Sequence, residues 1–503
     1  MVTRKIKYIL ICFLFGLVYS EPTNGIMFQF FEWYSKPSEN LWQKLSLEAA
    51  SLSKVGVTAV WIPPAYKGTG IDDAGYGVYD KYDLGEFNQN GTIRTKYGSK
   101  AELISAVNKL HLLNIQIYGD IVLNQIVGGD KLENVTINQV DNNNRNYIYP
   151  KDINATVWTK FMFPNRNNKY SSFTYDASVI SGIDGPNIEE PKVSAKNIYL
   201  VKGHNWAKDV DDEYGNYDYL LGNNLDYSVL RMRQEAMDWG RWFTNTLKLD
   251  GYRIDAVKHL SASFMKDWLS NMRKINSSAF AVGEYWSGSL AKLENYEQQV
   301  NWSMSLFDVP LHYNLYNASK DGNYDLRKIF DNTMVQKHPV QSVTFVDNHD
   351  TEPGQALASF IDARFKQRAY ALILTREGGY PCVFYGDYFG IPTKNIKRMD
   401  DLIVPLMEAR RNNAYGKQHD YFVDPHYIGW TRDGDDGHDG LATIVTNGNY
   451  DGYLDMNVGT RYRGTKWYDI TGNYPKTTNV TIDLNGVGHF LVKANSVSVW
   501  VPL

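Results

Sequence analysis

The segment Gly251-Tyr252-Arg253-Ile254-Asp255-Ala256-Val257-Lys258-His259 decides how this chain is read. Gly251 to Ile254 fits a short buried strand, and an acid follows at its C-terminal end. Two later segments repeat the arrangement: Phe280-Ala281-Val282-Gly283-Glu284-Tyr285-Trp286 and Phe345-Val346-Asp347-Asn348-His349-Asp350. Barrels of alternating strands and helices carry their chemistry at that end of the strands. Three acids converging on one mouth, with Arg253 and two histidines beside them, suit the cleavage of a glycosidic bond.

The alternation extends outward from these segments. Gly25 to Phe31 reads as a first strand, and Leu41 to Lys54 as a helix with Leu41, Leu45, Ala49 and Leu52 on one face. Thr58 to Ile62 is a second strand, stopped by Pro63-Pro64. Ser99 to Leu113 is a helix, with Ser99 as N-cap and Glu102 three residues on. Asn114 to Leu123 is a third strand. The alternation resumes with helices at Arg231 to Thr246 and Ser261 to Ile275, and strands near Gly251, Phe280, Met304, Ser342 and Val383. A last helix is expected from Asp401 to Asn412.

Between these blocks, residues 125–227 are rich in Asn, Asp, Gly and Tyr, too long a stretch for a simple loop. It reads as an inserted β-rich subdomain after the third strand. After Tyr415 come short alternating segments with Asn-Gly and Gly-Asn turns, the pattern of an antiparallel β-sandwich. The expected fold is therefore an α/β chain, a (β/α)8 TIM barrel with an inserted subdomain and a C-terminal β domain. The expected division is a signal peptide at 1–20, barrel at 21–124, insertion at 125–227, barrel again at 228–414 and β domain at 415–503.

The leader is read from Arg4, Lys5 and Lys7, the apolar run Tyr8 to Val18, and small residues near Ser20. That run is short for a bilayer span, so secretion is expected and membrane residence is not. Net charge is −4 with no basic block, which argues against a nucleic-acid partner. Cys12 leaves with the leader and Cys382 stands alone in an apolar run, so no intrachain disulfide is available to the mature chain. Asn90, Asn134, Asn154, Asn276, Asn301, Asn317 and Asn479 begin glycosylation sequons, of which Asn134 and Asn154, in polar loop-like sequence, are the expected candidates. Aromatics at 14%, mostly Tyr, fit a sugar-binding surface, although plain globular chains also hold many Tyr.

Phe31-Glu32-Trp33-Tyr34, Trp61 to Gly68, Gly75-Tyr76-Gly77 and Phe345 to Asp350 together resemble the secreted α-amylases of the retaining α-glucosidase superfamily, most closely the bacterial liquefying type. The resemblance covers nearly all of the mature chain. It implies that Asp255 is the nucleophile, Glu284 the general acid/base and Asp350 the third acid, which favours an oxocarbenium-like transition state. Arg253 would hold Asp255 ionised. His349 would bond the reacting sugar, Tyr76 would stack beneath it, and Lys258 and His259 would line the leaving-group side. The segment Asp120-Ile121-Val122-Leu123-Asn124-Gln125 departs from the pattern, since Gln125 stands where the family has His. Gln125 can still donate and accept but carries no charge, so weaker activity or an altered pH profile is expected.

The same resemblance implies one structural calcium ion. Its ligands would be Asn124, Asp218, Asn224 (an acid in the family) and the carbonyl of His259. A neighbouring metal cluster is doubtful, because one of its acids falls on Ala207, with Asp226 close by. The alternative reading of these Asn and Asp residues is that they cap turns. The activity implied is endo-hydrolysis of α-1,4-glucan by a monomer. A transglycosylase, an exo-acting maltogenic enzyme, or a weakly active carbohydrate-binding paralogue remain open alternatives.

Overall fold

Eight parallel strands close a barrel in the computed structural model, which describes residues 24–503. The expected leader at 1–20 lies outside the described residues. The strands are β1 (Met27–Gln29), β2 (Ala59–Ile62), β3 (Gln116–Ile121), β4 (Gly251–Ile254), β5 (Phe280–Gly283), β6 (Ser305–Phe307), β7 (Ser342–Phe345) and β8 (Tyr380–Phe384). Each pairs with the next, and β8 closes on β1. Both faces of these strands are covered, which is why their sequences run apolar instead of alternating.

Helices with clean apolar stripes form where the sequence places them. The helix Lys100–His111 starts on a capping box, Ser99 accepting from the Glu102 amide while Glu102 reaches back to the Ser99 amide. Leu230–Leu247, Ala262–Met272 and Asp400–Asn413 match their expected spans within a few residues. Helices at Leu290–Gln299, Val309–Lys320 and Ala363–Leu374 were not foreseen. Their buried faces include polar residues that break the apolar period: Glu297, His312, and the pair Lys366 and Arg368. Lys366 is satisfied inside by Asp347 and Asp387, so a charged residue serves as core.

The stretch after β3 forms a separate antiparallel sheet of seven strands. Its longest pair is Lys131–Val140 against Ile148–Lys160. Asn223–Leu225 pairs with Gln125–Ile126, and the Leu225 amide bonds the Asn124 carbonyl. The sheet is thus stitched back to the C-terminal end of β3, beside the mouth of the barrel. Toward the C-terminus, a six-stranded antiparallel sheet packs with the ribbon Gly452–Asn457/Val487–Val492 around Trp467, Phe490 and Trp500.

Candidate active site

The register of three adjacent strands assembles the centre of the site. Arg253 on β4 lies directly beside Asp120 on β3 and Val282 on β5. Neighbouring side chains in a parallel register point to the same face, so Arg253 and Asp120 share the barrel interior. The Arg253 side chain has no exposed surface, and its fork contacts three carboxylates. Nη1 donates to Asp120 Oδ1 at 2.9 Å and to Asp255 Oδ1 at 2.6 Å, and Nη2 donates to Glu284 Oε2 at 2.7 Å.

Glu284 Oε2 also accepts the Ala256 amide at 3.0 Å. Ala256 sits in the left-handed region, with φ of 49°. That conformation costs a non-glycine residue about 1 kcal/mol or more, and here it accompanies an amide aimed at Glu284. The chain turns sharply there, directly after Asp255.

One guanidinium cannot neutralise three buried carboxylates. Burial raises Asp120 and Asp255 above the ordinary carboxylate range while Arg253 pulls both down. The charges of Glu284 and Asp120 push Asp255 up further. Protons in such a cluster belong to the group as a whole. Asp120 is held three more ways, by Trp61 Nε1 at 2.9 Å, by the Tyr76 hydroxyl at 2.8 Å, and through its carbonyl by the Tyr66 hydroxyl at 3.3 Å.

Asp350 enters from the loop after β7. Asn348 Oδ1 accepts the amides of Asp350 and Thr351 at 2.9 and 3.0 Å, which fixes the turn. Burial, then the charge of Glu284, pushes the Asp350 carboxyl up to about 7. His349 Nε2 stands 3.3 Å from Asp350 Oδ2. Burial and Arg253 hold the His349 pKa well below the ordinary imidazole value, so the ring is neutral. Its Nδ1 meets the Gln29 amide at 3.0 Å. The ring lies parallel to Tyr76, centroids 5.0 Å apart, and Trp33 lies parallel to both.

The structure therefore gathers Asp255, Glu284, Asp350, Arg253, Tyr76 and His349 at one place. Gln125 borders it, donating from Nε2 to the Tyr76 carbonyl at 3.0 Å, while its Oε1 is buried without a partner. Lys258 bonds Glu213 at 3.0 Å and the Trp286 carbonyl at 3.2 Å. The His259 ring packs edge-on against Tyr217 and bonds its carbonyl through Nδ1 at 2.7 Å. Burial, with Lys258 adding to it, pushes His259 down to about 3, so it too is neutral. Sequence reasoning missed Asp120 as a member of the arginine cluster, and Trp33 as part of the aromatic wall. For Asp120 a signal existed: an acid inside an otherwise apolar strand requires a buried partner.

Beside the site, a set of hard oxygens suits calcium. The Oδ1 atoms of Asn124 and Asn224 are buried and have no hydrogen-bond partner. Asn124 Nδ2 stands 3.2 Å from the carbonyls of both Asp218 and His259. Burial, with the charges of Asp226 and Asp209 adding to it, pushes the Asp218 carboxyl up to about 7. Amide, carbonyl and carboxylate oxygens are the ligands calcium takes. Among the described residues, no cluster of three or more His, Cys, Asp or Glu could hold a metal. Any ion here therefore depends on amide and carbonyl oxygens. Ala207 donates its amide to Asp218 Oδ2 at 3.0 Å, and Asp226 is engaged by His204 Nδ1 at 2.6 Å and by Ser228.

The chain is similar to known proteins over nearly its whole length. The family model described as the alpha-amylase catalytic domain matches residues 48–451, and that of the alpha-amylase C-terminal domain matches residues 444–501. A glucan 1,4-alpha-maltohexaosidase of Bacillus sp. (strain 707) is 50% identical over 95% of this chain and 92% of its own length. An alpha-amylase of Geobacillus stearothermophilus is 48% identical over 96% of this chain and 87% of its own. The crystal structure of an alpha-amylase from Geobacillus thermoleovorans, complexed with acarbose, superposes with a TM-score of 0.64 at 15% identity, over 96% of this chain and 99% of that one.

Proposed function

We propose that this chain, which belongs to the α-amylase family of glycoside hydrolases, cuts internal α-1,4-glucosidic bonds of starch, glycogen or maltodextrins with retention at the anomeric carbon. The observation that carries the reading is the Arg253 fork, which holds Asp255 on one nitrogen and Glu284 on the other. Two carboxyls gathered on one guanidinium lie close enough for one to attack the anomeric carbon while the other protonates the leaving oxygen.

Asp255 attacks the anomeric carbon and forms a glycosyl-enzyme ester. Glu284 gives its proton to the departing glycosidic oxygen, then takes one from the water that hydrolyses the ester. The Arg253 charge stabilises Asp255 as the anion that attacks. Asp350 and neutral His349 bond the hydroxyls of the distorted sugar, whose apolar face rests on Tyr76. Gln125 borders the same ring, and Lys258 borders the leaving-group side. Release of reducing ends from soluble starch, abolished by Glu284→Gln, tests this assignment. The similarity to a relative named for maltohexaose supports a second reading, release of products of fixed length. The size distribution of early products separates the two.

One calcium ion fits the reading, held by Asn124, Asp218, Asn224 and the His259 carbonyl, and it would supply structural rather than chemical help. The basic start and apolar run of residues 1–20 support the proposal of a leader and of secretion, and no helix among the described residues is long and apolar enough to cross a membrane. The division at 124/125, 227/228 and 414/415 is proposed as the domain organisation.

A further inference from the structure

Two buried carboxyls outside the acid trio close on the two peptides that flank Trp33. Glu352, fully buried, lies two residues beyond Asp350, and Glu32 lies next to Trp33. Glu352 Oε1 accepts the Trp33 amide at 3.3 Å. The Trp33 carbonyl accepts from buried Lys96 Nζ at 2.7 Å, and Glu32 Oε2 accepts the Tyr34 amide at 2.5 Å. The same two loops are joined again where the Tyr34 hydroxyl donates to the Pro353 carbonyl at 3.0 Å and accepts from Gln355 at 2.8 Å. The Trp33 backbone is therefore held from both sides. Its ring lies parallel to Tyr76 at 5.9 Å and to His349 at 6.0 Å.

Glu352 Oε2 is buried and has no partner. An ionised carboxylate with a bare buried oxygen is costly, whereas the neutral acid leaves no buried charge unpaired. We propose that Glu352 is a positioning residue for substrate binding: as the neutral acid it fixes the Trp33 peptide, and through it the Trp33–Tyr76–His349 wall on which the sugar rests. This inference rests on the glucan-cleaving reading above.

Burial, then the charge of Glu32, pushes the Glu352 carboxyl up to about 9. The groups facing it are Glu32, Asp350 and Asp347, with the Tyr97 hydroxyl farther off and Lys96 on the far side of the Trp33 peptide. Three of these are acids, so loss of the Glu352 proton adds repulsion at the clamp. The sign follows: substrate affinity is whole below about pH 9 and falls above it. A wall that stacks equally on ground state and transition state acts on KM more than on kcat.

The test is starch kinetics from pH 6 to 10.5 for the parent, Glu352→Gln and Glu352→Ala, with a thermal melt of each. Glu352→Gln keeps the shape without the titration. It is expected to hold KM within about twofold of the parent at pH 7 and to remove the parent's rise in KM above pH 9. Glu352→Ala is expected to raise KM about tenfold at pH 7 with a smaller change in kcat. If Glu352→Ala does not fold, the Gln variant decides alone. The same alkaline rise in KM for Glu352→Gln as for the parent would overturn the inference, as would a loss of kcat at unchanged KM. A folded parent that releases no reducing ends would instead overturn the hydrolytic reading beneath it, and this inference with it.

Discussion

Replacing Arg253 by Met probes the centre of the site, because one side chain there offsets three acids. Met retains most of the volume and removes the charge. The Asp255 carboxylate lies in direct hydrogen-bond contact with the guanidinium, 2.6 Å between the bonded atoms. Charge centres roughly 4 Å apart at an effective dielectric of about 20 interact by about 4 kcal/mol. That corresponds to about three pH units on Asp255. At pH 6 the ionised, nucleophilic fraction of Asp255 would then fall by up to about a thousandfold. kcat/KM is expected to fall by more than about tenfold, with its acid limb displaced to higher pH.

Stability should suffer too, since removing one partner of a buried ion cluster costs about 3–5 kcal/mol. Arg253→Lys is the control. It keeps the charge, but a single ammonium cannot span Asp120, Asp255 and Glu284 as a planar fork does. It should therefore lie between parent and Met in both activity and melting temperature. The assay is kcat/KM on soluble starch between pH 5 and 9, alongside melts at the same pH values. Arg253→Met activity within tenfold of the parent at pH 6, in a folded protein, would refute the electrostatic reasoning.

Two other outcomes are expected. The Asp350 carboxyl, pushed up to about 7, gives stability that is whole below its unfolded value of about 3.9 and is lost as pH rises through about 7. Asp350→Asn should therefore resist urea better than the parent at pH 8 and equally at pH 4, while nearly inactive. Equal resistance at pH 8 would contradict the raised value. Chelation should lower the melting temperature of the parent, because an ion bound to the native state adds stability by mass action, and Asp218→Asn should blunt that response. An unchanged melting temperature after exhaustive chelation would count against the calcium ion.

The sequence exposed this site unevenly, for physical reasons. Arg253 and Asp255 were legible because two residues on one strand share a face, Glu284 because it ends an apolar run, and Asp350 because it closes the polar segment that follows one. The capping box at Ser99 was legible because both its members lie within four residues. Asp120 was not recognised as Arg253's partner, since their contact depends on the register of β3 against β4 across 133 residues. The Glu352–Trp33 contact spans 319 residues and announces itself in neither local pattern. Helices such as Ala363–Leu374 escaped because they bury Lys366 against Asp347 and Asp387, which an apolar period does not reveal. Gln125 was visible as a departure from its family, but its hold on the Tyr76 carbonyl was not.

The central claim is that Glu284 and Asp255 divide the chemistry of glycosidic cleavage between them on one arginine. The most direct measurement is reducing-end release from soluble starch by the purified mature chain and by Glu284→Gln, with calcium present. The expected result is rapid release by the parent and a loss of several orders of magnitude in a Glu284→Gln variant that melts normally. Near-normal release by that variant, or none by a folded, calcium-loaded parent, would contradict the claim.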